Sequence, residues 1–128
     1  EMKKIFLFMA VITMVVAGCG EDKLAELKFC SDIRPDEPCI GEDTIFMQGT
    51  NVWAQLYLKP GFTDSIVTGI LYGYEDGKRV LIESIKHEIG EGQQVIMEAM
   101  FFNSKGNFEV EFSDSNGNLL DKRGFEIL

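Results

Sequence analysis

Three features of this 128-residue sequence predict an all-β fold, an antiparallel sandwich of about seven short strands. From Thr44 onward, apolar runs rich in β-formers recur about every ten residues. Turn residues fall between those runs: Gly49, Pro60-Gly61, Asp76-Gly77, Gly90-Glu91-Gly92 and Asn116-Gly117. The clearest run, Asn107 to Ser113, alternates with period two, sending Phe108, Val110 and Phe112 one way and Glu109 and Glu111 the other. An apolar content of 45% is enough to fill one core in a chain of this length.

The elements follow in order. Thr44 to Met47 and Asn51 to Lys59 are expected strands, the second placing Val52, Ala54, Leu56 and Leu58 on the core side. Ile66 to Tyr74 and Arg79 to Ile89 form a hairpin around Glu75-Asp76-Gly77, because Asp-Gly tolerates the positive φ of a tight turn. Its arms are long enough to carry bulges, and Gly69 and Gly73 inside a strand point to close packing or bulging. Gln93 to Phe102 is rich in Met, Glu and Ala and has helical propensity, yet its place between β regions favours a strand. Asn107 to Ser113 and a return strand from Leu119 to Ile127 flank an Asn-Gly turn and complete the seven.

Lys105-Gly106-Asn107-Phe108-Glu109-Val110 resembles the Gly-x-Tyr-x-Val stretch entering the penultimate strand of immunoglobulin-like domains, with Phe108 at the tyrosine position. The resemblance implies an immunoglobulin-like sandwich over residues 44–128. Ahead of it, Lys3 and Lys4 precede an uncharged apolar run from Ile5 to Ala17, shorter than the ~20 residues a membrane-spanning helix needs. Val16-Ala17-Gly18-Cys19 then resembles the lipobox of bacterial lipoproteins. That resemblance implies a signal peptide over 1–18, removal before Cys19 and lipidation of that cysteine, hence a lipid anchor at the bacterial cell envelope. Gly20 is not the aspartate of inner-membrane retention, and Glu21-Asp22 resembles the acidic pairs of surface display, so an outer membrane or cell surface is favoured in a host with two membranes.

With Cys19 assigned to lipid, Cys30 and Cys39 remain as a pair in an exported protein, and a disulfide is the simplest use. Pro35 and Pro38 forbid a continuous helix between them, so Ser31 to Pro38 is expected as a stapled loop. Residues 19–43 are thus the lipidated cysteine, a tether and that loop, with Leu24 and Leu27 on one side of a possible helical turn.

Composition and motifs narrow the function. A net charge of -9 repels a nucleic-acid backbone. His87 is the single histidine, flanked by Ile85 and Ile89 on one strand face, so packing is the expected role and no metal, cofactor or catalytic residue is expected. Glu109 and Glu111 are solvating charges on an open face, and Asp114 to Asn118 places glycine too early for a calcium loop. Binding character rests on aromatics: Trp53 and Tyr57 share an outer face, with Tyr72 and Tyr74 flanking them, as a surface for sugar rings or a protein partner. The expectation is a membrane-anchored, non-catalytic binding or assembly module for an envelope protein or glycan. The alternative is an envelope-located hydrolase inhibitor whose Ser31 to Pro38 loop enters a cleft.

Overall fold

The computed structural model describes residues 23–34, 36 and 39–128, and all of their regular structure is strand. The expected signal peptide and Cys19 lie outside the described residues. Eight strands form two sheets: β1 (Ala25–Cys30), β3 (Asn51–Leu58) and β6 (Val95–Phe101) in one, and β2 (Ile45–Phe46), β8 (Leu119–Ile127), β7 (Gly106–Asp114), β4 (Ile66–Glu75) and β5 (Lys78–Glu88) in the other, each in that spatial order.

Two expectations need correction here. The expected count of about seven strands omitted β1. Residues 25–30 were expected within the tether, but Ala25, Leu27 and Phe29 alternate inward and are buried, which is strand rather than helical periodicity. Nor is the pairing wholly antiparallel: β2 runs parallel to β8, Ile45 opposite Glu126 and Phe46 opposite Ile127, while the other pairings are antiparallel. The helical alternative for 94–102 loses because Val95, Ile96 and Met97 pair with Tyr57, Leu56 and Gln55 of β3.

The core fills the space between the sheets. Leu27, Phe29, Val52, Leu56, Val67, Val110, Phe112 and Ile127 are buried side chains drawn from both layers. At one end, Phe102, Phe108 and Phe125 pack as a ring cluster with centroids 4.4 to 5.6 Å apart, a spacing at which aromatic pairs add to simple area burial. Phe108 opens β7, the penultimate strand, and turns its ring inward.

Local chemistry explains the turns. Asp76 (φ 51°) and Gly77 (φ 77°) both lie in the left-handed region, as a two-residue hairpin turn requires. The β7–β8 connection is braced by Asp114, whose carboxylate accepts from Asn116 N–H and Asn118 N–H at 2.9 Å each. The expected bulge in the long hairpin occurs where the register shifts between Leu71 and Tyr72, leaving Ile82 as the extra residue on β5.

Candidate functional site

The disulfide between Cys30 and Cys39 is formed, closing the loop after β1. Cys30 Sγ lies 3.9 Å from Gln55 Oε1, and Gln55, on the outward side of β3, is only 3% exposed. The stapled loop therefore adjoins the outer surface of the three-stranded sheet. Trp53, opposite Cys30 on β1, is half-buried at this edge, whereas Tyr57 is exposed.

The four aromatic residues do not share one surface. Trp53 and Tyr57 lie on β3 in the three-stranded sheet, and Tyr72 and Tyr74 on β4 in the five-stranded sheet. Residues of β3 and β4 on outer faces look away from each other across the sandwich. Tyr72 instead lies under Arg79, whose guanidinium carbon is 4.0 Å from the ring centroid. Arg79 also reaches Glu109 at 3.2 Å, an ion pair that holds the arginine above its ordinary pKa.

Among the concave features of the described residues, two lie at the β3–β4 and β5–β6 side of the molecule, near Tyr57 and His87. The larger is a cleft of about 770 Å³ at the sandwich end, walled by Tyr57, Phe62 and Ile89 and by the loops 59–65 and 89–94. Its walls are braced. Gln93 Oε1 accepts from Gly90 N–H and its Nε2 donates to Val95 O, at 3.0 and 2.9 Å. Asp64 Oδ2 accepts from Ser115 N–H and from its hydroxyl, at 2.9 and 2.7 Å, and these bonds hold its carboxyl below the ordinary range. Ile89 N–H donates to Ser65 O at 2.8 Å and so joins the two loops.

The smaller feature is a crevice of about 70 Å³ between the edge strands β5 and β6, lined by Gly69, Leu71, Glu83, Ile85, Glu98 and Met100. Beside it, His87 Nε2 and Glu98 Oε1 share a hydrogen bond. Their side chains are 20% and 13% exposed, so solvent protons reach a pair that is otherwise packed. The His87 ring stands 6.3 Å from that of Phe112. Gly69 makes room for this: a Cβ there would come within 2.7 Å of the Phe112 ring and 2.8 Å of Glu98 Oε1. His87 was expected only to pack among Ile85 and Ile89. Its carboxylate partner escaped sequence reading because Glu98 faces inward on a different strand, and only the closure of two sheets brings the pair together.

No family model matches the chain, and no curated protein matches it. Solved structures do share its architecture. The superoxide reductase (neelaredoxin) of Ignicoccus hospitalis aligns over 67% of this chain and 76% of its own at 14% identity, with a TM-score of 0.47. A single-residue variant of the same enzyme aligns over 89% and 86% at 12% identity, with a TM-score of 0.51. The likeness to the variant is one of fold, at an identity that transfers no chemistry.

This comparison corrects the expected function. A sandwich of this fold serves as the body of a catalyst, so the architecture gives no ground for a non-catalytic binding or assembly module, nor for the inhibitor reading. Reducing superoxide requires an electron and hence a redox centre. The donor set here does not fit a metal centre: among the described residues no three His, Cys, Asp or Glu side chains group as ligands, and Cys30 and Cys39 are bonded to each other.

Proposed function

We propose that this chain is a lipid-anchored, immunoglobulin-like sandwich of the bacterial cell envelope that takes a small, largely apolar molecule into its end cleft and exchanges a proton with it through His87 and Glu98. The reaction class is general acid–base chemistry on a small molecule. The observation that carries this reading is the His87–Glu98 hydrogen bond, at the β5–β6 crevice two residues along the chain from Ile89 of the cleft wall. Ile89 lines the cleft, and His87 is the next residue inward on the same side of the extended chain, about 7 Å along it. An imidazole oriented by a carboxylate hydrogen bond is the arrangement that general acid–base chemistry uses.

Other observations support the remaining parts of the reading. A volume of about 770 Å³ suits a small organic molecule, and walls braced by Gln93 and Asp64 lower the ordering cost of binding one. The immunoglobulin-like assignment draws on the three-plus-five strand order, the parallel β2–β8 pair and the place of Phe108 at the start of the penultimate strand. Anchoring through Cys19, favouring an outer membrane or cell surface, draws on the basic start, the apolar run and the Val16-Ala17-Gly18-Cys19 motif.

Heteronuclear NMR with indole as the probe tests the site. Shift changes are expected at Tyr57, Phe62 and Ile89, with the His87 titration midpoint displaced when indole is bound. Changes confined to other surfaces overturn the cleft. Binding in the cleft with an unmoved His87 midpoint overturns the acid–base role.

A further inference from the structure

We infer that the β3–β6 part of the outer face of the three-stranded sheet rests on a lipid bilayer, an inference that takes the Cys19 anchor from the proposed function. On β3, Val52, Ala54, Leu56 and Leu58 point into the core, so Trp53 and Tyr57 point outward. On β6, Ile96 is buried and Glu98 turns inward to Gly69, so Met97, Ala99 and Phe101 point outward. The register makes these residues neighbours: Trp53 lies opposite Ala99, Asn51 opposite Phe101, and Gln55 opposite Met97. Phe101 is 58% exposed, Tyr57 47% and Met97 42%. Neither β3 nor β6 places a charged side chain on this face; Glu26 and Lys28 of β1, opposite Tyr57 and Gln55, border it on one side, and the outer face of the other sheet carries Arg79, Glu109 and Glu111.

The occupant follows from where the chain enters. Lys59 N–H donates to Leu24 O at 2.9 Å, so the polypeptide leading back to Cys19 leaves beside the end of β3, next to Tyr57. Four residues lie between Cys19 and Leu24, five Cα-to-Cα steps with a reach of at most about 18 Å. A lipid on Cys19 therefore holds this face within one domain width of the bilayer. Trp, Tyr, Phe and Met on one surface suit the headgroup region, where an apolar body and a polar tip are both satisfied. With a chain charge of -9, adhesion comes from apolar insertion rather than attraction to anionic lipid. Lying on the membrane also brings the cleft, which shares Tyr57 with this face, to the lipid surface.

Trp53 is the only tryptophan, so it reports on the face directly. The full lipidated chain is reconstituted into phosphatidylcholine vesicles, with or without acyl-chain bromination, floated on a density gradient and read by Trp53 emission. Brominated lipid is expected to cut emission by roughly twofold or more at any salt concentration, and Met97→Ser with Phe101→Ser to abolish that loss while flotation persists. Flotation without quenching overturns the face and leaves the anchor standing. Failure to float overturns the anchor and this inference with it. Absence of quenching in a chain that sediments as a dimer, with Phe101→Ser returning it to monomer, assigns the face to a second copy.

Discussion

The two long seams where the sheets meet are closed in different ways. At the β1–β8 seam, side chains reach backbone: Asp121 Oδ2 accepts from Leu27 N–H at 2.9 Å, Arg123 Nη1 donates to Leu27 O at 3.2 Å, and Lys23 Nζ donates to Asp121 Oδ1 at 3.0 Å. At the β5–β6 seam, the polar link among the described residues is the single side-chain pair His87–Glu98. β1 is an edge strand whose outward N–H and C=O groups have no ladder partner, and Asp121 and Arg123 satisfy them as a neighbouring strand would. β5 and β6 are edges too, but they leave a crevice with glutamates at its wall. One seam is stitched for stability, and the other is left open enough for solvent to reach a titratable pair.

The comparison can be broken first at the end of β1. Reducing Cys30–Cys39 releases a short closed loop, and the chain-entropy relation gives a loss of roughly 2.5–3 kcal/mol, read as a lower urea midpoint with little change in slope. Next, Asp121→Ala strands a half-buried N–H on Leu27 and is expected to cost about 1–3 kcal/mol in the same assay. At the other seam, His87→Ala removes one hydrogen bond from a partly solvated carboxylate, and its cost should be only about 0.5–1.5 kcal/mol. A His87→Ala loss larger than that of Asp121→Ala would reverse the contrast between the seams.

The smallest effect is a pH dependence at the cleft wall. Ser115 lowers the Asp64 pKa below its ordinary 3.8, so Asp64 stabilises the fold above that value and the contribution disappears as pH falls through the lowered value. Wild type and Asp64→Asn should differ in thermal midpoint at neutral pH and converge at the acid end of the series. Parallel curves throughout would show that the Asp64–Ser115 link does not respond to protonation.

Much of the fold was legible residue by residue. Phe108, Val110 and Phe112 alternate against Glu109 and Glu111 because one side of β7 is dry and the other wet, and Asp76-Gly77 marks a turn because its backbone angles admit few other residues. Missing β1 had a local cause: Leu24 and Leu27 fit a helical turn as well as Ala25, Leu27 and Phe29 fit a strand, and a segment this short cannot arbitrate. The candidate site was barely legible. His87 stood out as the lone histidine, but Glu98 looked like one more charge in a Met- and Ala-rich run, and Met97 and Phe101 were not seen as neighbours of Trp53.

Period, turn chemistry and cysteine spacing act over a few residues, so the sequence alone determined where seven of the strands run, which side of β3 and of β7 is apolar, and that Cys30 and Cys39 would close a loop. Which strand faces which was decided only by tertiary closure, because burying two apolar layers against each other sets the sheet order at long range. That closure sent Trp53 and Tyr72 to opposite surfaces, brought His87 to Glu98 across an unpaired seam, and shaped the cleft from loops that no local rule connects.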